Sequence, residues 1–158
     1  MHPNAALLER FYQAFSRRDG EAMARCYAPD ATFTDPVFQD LRGEEVGAMW
    51  RMLCKRAKDL ELTWRDVTGD DTRGGASWEA RYTFSGTGRR VHNVITARFV
   101  FRDGLIIEHR DVFDLWRWTR MALGPVGVVL GWSSLVQGKL RRTARAGLDA
   151  WMAEDRRR

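Results

Sequence analysis

The sequence has few of the residues that hold small domains together through disulfides or metal ions. Among 158 residues there are only two cysteines, Cys26 and Cys54. Both lie in helical patterns without C-x-x-C spacing, so we interpret them as small buried side chains in a reducing compartment. The N-terminus shows no secretory signal pattern. No metal, nucleotide or flavin fingerprint is present either, and we expect a cytoplasmic protein without a cofactor.

Excess positive charge is absent from most of the chain. Residues 1–114 have a net charge of −1, whereas residues 115–158 hold nine basic and three acidic side chains, a net charge of +6. A nucleic-acid-binding protein would carry its basic residues on the folded body, interleaved with aromatic platforms. We therefore do not expect this chain to bind nucleic acid. Its 44% hydrophobic content and seven tryptophans are typical of one globular domain.

The first part of the chain has helical periodicity. Apolar side chains recur every three or four residues from Leu7 to Phe15, and again from Val46 to Ala57. A short helix over residues 21–27 lies between them. We expect Tyr27-Ala28-Pro29-Asp30 to end that helix, and residues 31–34 to form a short strand.

From residue 60 the period changes to two, which is typical of β-strands. Alternating segments at 60–65, 78–85, 91–102 and 105–114 are separated by turn residues such as Gly86-Thr87-Gly88 and Asp103-Gly104. This order predicts an α+β fold in which an antiparallel meander follows the helices.

The alternation also predicts which side chains face inward. In the last strand the odd-numbered row keeps Ile107 and Phe113 inside, and His109 and Asp111 then share that inner face. The inner surface would be mainly aromatic with a few polar groups, as in a small-molecule site. We expect the ligand to be bound by Tyr12, Trp50, Trp64, Trp78, Tyr82, Asn93, Phe99 and Phe113.

Carboxylates in segments suited to burial are the main chemical signal. Asp35 follows the strand Ala31–Thr34, and Asp111 comes two residues after His109. Burying an ionised carboxylate costs several kcal/mol unless it is paired or neutral. Such residues are candidates for acid/base chemistry, with a structural ion pair as the alternative. We expect Asp35, His109 and Asp111 to be the catalytic groups.

Several of these segments together resemble the NTF2-like superfamily. They are the helical opening, the stretch Tyr-Ala-Pro-Asp-Ala-Thr-Phe-Thr-Asp-Pro at 27–36, Arg42-Gly43, and Asp103-Gly104 with Arg110-Asp111-Val112-Phe113-Asp114. The pattern is similar to the SnoaL-like and ketosteroid-isomerase-like branches. The resemblance implies a cone-shaped, cystatin-like fold, with N-terminal helices packed in a curved antiparallel sheet. It also implies a homodimer formed through the outer face of the sheet.

Only some of the catalytic residues of these related enzymes have a counterpart in this sequence. Asp35 matches the general base of ketosteroid isomerase, but the oxyanion residues of that enzyme fall on Phe11 and near Ala97. Asp111 matches the final-strand aspartate of SnoaL-like cyclases and of limonene epoxide hydrolase. The arginine and second aspartate of the hydrolase fall close to Trp78 and Ala80. Steroid isomerisation and epoxide hydrolysis are therefore disfavoured.

The remaining hypothesis is proton transfer on a small apolar compound that bears a carbonyl or hydroxyl group. Asp111 and His109 would form an acid/base pair and Asp35 a second base, because enolisation, aldol cyclisation and dehydration all require a proton to move. Isomerase, cyclase and dehydratase activities remain open. The alternative is a non-catalytic ligand-binding or protein-interaction module of the same fold.

The C-terminal part is not explained by the resemblance. We divide the chain into an NTF2-like domain over residues 1–114 and a helical extension over residues 115–158. In the extension, Val136, Leu140 and Ala144 begin an apolar row beside basic residues, which indicates a basic amphipathic helix. We expect it to pack on the domain or on a second subunit and so to bury its tryptophans. Contact with a membrane surface is the alternative.

Overall fold

A computed structural model describes residues 1–158 of the chain. The fold is α+β, and six helices and six strands follow one another along the chain. Their bounds are α1 Pro3–Ser16, α2 Gly20–Ala24, β1 Tyr27–Thr34, β2 Leu41–Arg42, α3 Glu44–Arg56, β3 Glu61–Gly69, β4 Arg73–Phe84, β5 Arg89–Arg102, β6 Leu105–Val112, α4 Leu115–Leu123, α5 Pro125–Leu130 and α6 Ser134–Asp155.

One curved sheet of six strands has the order β2-β1-β6-β5-β4-β3. Strands β3 to β6 form the predicted antiparallel meander. Strand β1 begins at Tyr27, four residues earlier than expected, and pairs with β6 in the parallel direction. Residues 27–30 are therefore strand rather than the end of a helix, and the sheet is not wholly antiparallel.

Of the three register shifts in this sheet, two lie within the meander. One lies in β3 between Arg65 and Thr68, where Asp66 has a φ of 57°, and the other lies between β5 and β6 after Val100. Such bulges place one extra residue on a strand and increase its twist. The second shift changes the inward row, because Ile106 is fully buried while the predicted Ile107 is only half-buried. From His109 onward the odd-numbered row faces inward as predicted.

The concave side of the sheet holds the core. Helix α1 inserts Leu8, Phe11 and Tyr12, which are completely buried, and α3 inserts Met49 and Trp50 beside them. Their spacing of three or four residues places them on one face of each helix. These helices fill most of the concave side and leave a cavity toward one end of it.

The C-terminal extension packs on α3 through its last helix. The exposed ion pair between Arg156 and Glu44 has an Nη2–Oε1 distance of 2.7 Å, and Arg145 of α6 pairs with Glu45. Lys55 Nζ lies 5.4 Å from the centre of the Trp151 ring. Between these contacts Leu148 is completely buried. The apolar row of α6 therefore faces the domain.

The extension does not bury all of its aromatic side chains. Trp118 is buried and Trp151 is half-buried, but Trp116 and Trp132 are exposed. Packing within one chain therefore covers Trp118 and part of Trp151, and leaves Trp116 and Trp132 uncovered. None of the helices combines the length and the apolar character that crossing a bilayer requires.

Candidate functional site

His109 and Asp111 lie together on the inner face of β6. Their exposed fractions are 1% and 3%. Glu108, which precedes His109, and Arg110, which lies between the two, are exposed on the outer face. This is the alternation that a β-strand imposes. His109 Nε2 lies 2.8 Å from Asp111 Oδ1, so the two side chains are hydrogen-bonded in the core.

A chain of hydrogen bonds runs from Trp50 through Tyr27 to His109. Trp50 Nε1 donates to the Tyr27 hydroxyl oxygen over 2.9 Å, and that hydroxyl lies 2.7 Å from His109 Nδ1. An indole N–H can only donate, so the tyrosine accepts from it and can direct its own proton to Nδ1. In that arrangement His109 Nε2 carries a proton and donates it to Asp111. Burial raises the pKa of Tyr27 well above its ordinary value, which keeps this hydroxyl protonated.

Asp111 has one oxygen engaged and one oxygen free. Oδ1 accepts from His109 and, over 3.4 Å, from Trp78 Nε1. Oδ2 accepts no hydrogen bond within the chain, and Asp111 lines the cavity. A carboxylate with a free oxygen facing a cavity can accept a proton from a bound molecule.

Asp35 lies in the turn that follows β1. Its Oδ1 accepts from the backbone N–H groups of Val37 at 2.7 Å and Phe38 at 2.6 Å, and its own N–H donates to the Phe38 carbonyl at 2.7 Å. Burial raises the pKa of Asp35 from 3.8 to about 7. The two backbone donors lower it, and the negative charge of Asp111 adds a smaller increase. The side chain is half-buried at the cavity wall, so the carboxyl group is reachable from the cavity.

The cavity between the sheet and the helices has a volume of about 370 Å³. Sixteen of its 24 lining residues are hydrophobic, which suits an apolar ligand. Of the predicted site residues it is lined by Asp35, Asp111, Trp50, Trp78, Tyr82, Asn93 and Phe113. The structure therefore brings two of the three candidate catalytic groups to one cavity together with five of the eight candidate ligand-binding residues.

Four predicted site residues lie outside the cavity lining. His109 is enclosed by aromatic rings behind Asp111, and the nearest of them, Phe99, has a ring centre 4.2 Å from that of His109. Tyr12 stacks on Trp64 at 6.1 Å between ring centres and is completely buried. The structure thus places His109, Tyr12, Trp64 and Phe99 behind the cavity wall, and their roles at the site stay predictions.

Two groups at the site were not expected from the sequence. The sequence pattern places Tyr27 at a helix end, because a register shift between Tyr27 and Thr32 interrupts the alternation that would favour a longer strand. The C-terminal extension contributes Trp118, Leu140, Thr143 and Ala144 to the cavity wall. Trp118 Nε1 donates to the Tyr82 hydroxyl over 2.9 Å. No sequence signal pairs these distant segments.

The register of β4 directs a second acidic group away from the cavity. Trp78 and Ala80 are buried on the inner face, whereas Glu79 and Arg81 alternate to the outer face. There Glu79 Oε2 lies 2.8 Å from Arg65 Nη1, and Glu79 Oε1 lies 2.7 Å from His92 Nε2. Nowhere in the chain do three or more His, Cys, Asp or Glu side chains come close enough to hold a metal ion.

Comparison with known proteins identifies the family of this chain. The family model described as SnoaL-like domain matches residues 8–109, and the chain belongs to this family. Its structural relatives are NTF2-like proteins. No curated protein matches the chain.

Three solved structures illustrate the likeness. An NTF2-like protein of unknown function from Burkholderia pseudomallei is 20% identical over 77% of this chain and 98% of its own, with a TM-score of 0.67. An epoxide hydrolase from M. tuberculosis, similar to limonene epoxide hydrolase, is 20% identical over 81% and 96%, with a TM-score of 0.65. A candidate polyketide cyclase from Xanthomonas campestris is 26% identical over 76% and 96%, with a TM-score of 0.61.

Proposed function

We propose that this protein is a cofactor-free enzyme that moves a proton on a small apolar molecule bearing a carbonyl or hydroxyl group. The observation that carries the proposal is the pair of carboxyl groups, Asp35 and Asp111, on the wall of one apolar cavity. Their surroundings differ, since Asp111 accepts two side-chain N–H groups and Asp35 has a pKa raised to about 7. Two carboxyl groups in unlike environments can divide the roles of base and acid.

The geometry favours Asp111 as the base. Its Oδ2 would accept the proton from a carbon next to the substrate carbonyl, and the electron pair of that C–H bond would move toward the carbonyl oxygen. His109 donates to Oδ1 without touching the ligand, so it is a positioning residue that holds the carboxylate in place. Tyr27 and Trp50 in turn hold the histidine.

Asp35 suits the role of acid. With a pKa of about 7 it carries its proton in a large share of molecules near neutral pH, and it could donate that proton to the developing enolate oxygen. Tyr82 can assist, because its hydroxyl accepts from Trp118 and so keeps its own proton free to donate into the cavity. Asp111 would then return the first proton to a different carbon of the conjugated enol while the enol O–H gives its proton back to Asp35, which would complete an isomerisation and restore both carboxyl groups.

Water activation of the epoxide-hydrolase kind has less support. It would require a further acid and an arginine on the inner face of β4, and that face carries Trp78 and Ala80. The nearest acid and arginine, Glu79 and Arg81, alternate to the other side. A non-catalytic ligand-binding module remains the alternative function, since Asp35 Oδ1 also serves a turn through two backbone hydrogen bonds.

Hydrogen–deuterium exchange tests the proposal without knowledge of the natural product. The probe is trans-1-decalone in D₂O, and the loss of its α-proton signals is followed by NMR. We expect the protein to accelerate exchange and Asp111→Asn to reduce the catalysed rate by about 10²–10⁴-fold, the usual contribution of a general base. The amide keeps the shape of the carboxylate and removes its basicity.

Glu108→Gln is the matched control, because Glu108 lies on the same strand with an exposed side chain that makes no hydrogen bond or ion pair. It should exchange the probe at the wild-type rate. Quenching of tryptophan fluorescence by the same ketone separates the alternatives. Binding without any catalysed exchange would support the ligand-binding module, and exchange that survives Asp111→Asn would refute the assigned base.

A further inference from the structure

The short helix α5 packs on α4 through glycine. A Cβ atom at Gly127 would collide with the carbonyl oxygen of Thr119, and one at Gly131 would collide with the Thr119 hydroxyl. Trp116 Nε1 of α4 donates to the Val128 carbonyl of α5 over 3.4 Å, which is a second contact between the two helices. Because the glycines occupy the contact face, the larger side chains of α5 are directed away from the protein.

These outward side chains form one apolar surface, which we call the α5 patch. Val129 is 64% exposed, Trp132 is 65% exposed and Leu135 is 77% exposed. Exposed apolar side chains are ordinary when scattered, but a contiguous group marks an interaction surface. The α5 patch consists of Val126, Val128, Val129, Leu130, Trp132 and Leu135.

Basic residues adjoin the α5 patch, and acidic residues are absent from its part of the chain. Residues 115–148 contain six Lys and Arg side chains and no Asp or Glu. On α6, Leu135, Lys139 and Arg142 are spaced by four and three residues, so they share one helix face. Lys139 and Arg142 are both exposed, and neither forms an ion pair.

We infer that the α5 patch docks on the surface of an anionic lipid bilayer. The combination of an outward apolar tip and flanking cations is the pattern of interfacial membrane segments, which insert apolar side chains among the headgroups while cations contact lipid phosphates. A second copy of the chain is a poorer partner, because a two-fold contact would bring Lys139 and Arg142 toward their own equivalents. The six residues of α5 lie at the interface and do not cross it.

Vesicle sedimentation with the full chain tests this inference and is independent of any enzyme activity. The vesicles contain equal parts of phosphatidylglycerol and phosphatidylcholine, or phosphatidylcholine alone. We expect binding to the anionic vesicles that weakens with added salt. Val129→Asp should lower the affinity by about tenfold or more. Replacing Lys139 and Arg142 together with glutamine should lower it by about 30-fold.

Two controls separate the α5 patch from general basicity. Val112→Asp places the same charge at another exposed valine, 51% exposed on β6. Replacing Arg17 and Arg25 together with glutamine removes two exposed cations from the domain. Both should keep wild-type binding. Equal losses in a patch variant and its control, or no preference of the wild type for anionic vesicles, would overturn the inference. Sedimentation velocity that shows a dimer dissociated by Val129→Asp would overturn it in favour of a second copy.

Discussion

Replacing Asp35 with asparagine should stabilise the protein at alkaline pH while it removes the proposed acid. Burial raises the pKa of Asp35 from 3.8 to about 7 in the folded protein, whereas the unfolded chain keeps the ordinary value. Below pH 4 the group is protonated in both states and makes no difference to the free energy of unfolding. Between pH 4 and 7 the folded state binds more proton, so stability falls as the pH rises. Above pH 7 the loss is complete.

The magnitude follows from the size of the shift. About three pKa units correspond to about 4 kcal/mol of unfolding free energy. Because the side chain is half-buried and opens onto the cavity, solvent screening reduces the expected effect to about 1–3 kcal/mol. Asparagine keeps an oxygen for the N–H groups of Val37 and Phe38, so the turn after β1 should survive.

Urea unfolding followed by tryptophan fluorescence, repeated from pH 4 to pH 9, measures the effect. The quantity of interest is the difference between Asp35→Asn and the wild type, since other ionisable groups cancel in it. That difference should approach zero near pH 4, grow up to pH 7 and stay constant above it. Glu108→Gln should show no such trend. A variant that is equally destabilised at every pH would refute the reasoning and indicate a purely structural carboxylate.

Two further variants test the surroundings of the site. Tyr27→Phe leaves Trp50 Nε1 and His109 Nδ1 without a partner and should lower the unfolding free energy by about 1–3 kcal/mol in urea. Tyr12→Phe is its control, because the Tyr12 hydroxyl is buried without a hydrogen bond, and its loss should be neutral or stabilising. Ala144→Phe should narrow the cavity and weaken trans-1-decalone binding by about tenfold or more, as measured by fluorescence quenching. Its control, Ala146→Phe at an exposed position of α6, should bind the ketone as the wild type does.

The inner face of β6 was predictable because burial on one side of a strand leaves only two choices. Placing Phe113 inside required Asp111 and His109 to follow, and the structure has that register. The choice failed at Ile107, since a bulge near Val100 shifts the row and no local pattern announces it. The sequence also does not indicate how close each inward side chain comes to the cavity, because His109 and Asp111 share a face but only Asp111 lines the cavity.

Contacts between distant segments could not be predicted. The amphipathic pattern of α6 indicated that one face would be covered, but not that Leu140 and Ala144 would complete the wall of the cavity. The bond from Trp118 to Tyr82 joins residues 36 positions apart through the approach of α4 to the sheet. The distance between a helix and a sheet depends on how complete secondary-structure elements pack together, and the periodicity of the sequence does not report this packing.

The wall of the cavity is built from two parts of the chain, of which only the first is matched by the family model. Its carboxyl groups lie on β6 and in the turn after β1, and the family model ends at residue 109, whereas Leu140, Thr143 and Ala144 come from α6. Changes at these three positions would alter the shape of the cavity and leave Asp35 and Asp111 in place. Under the proposed function, natural or laboratory evolution could therefore vary the choice of ligand in the extension separately from the chemistry.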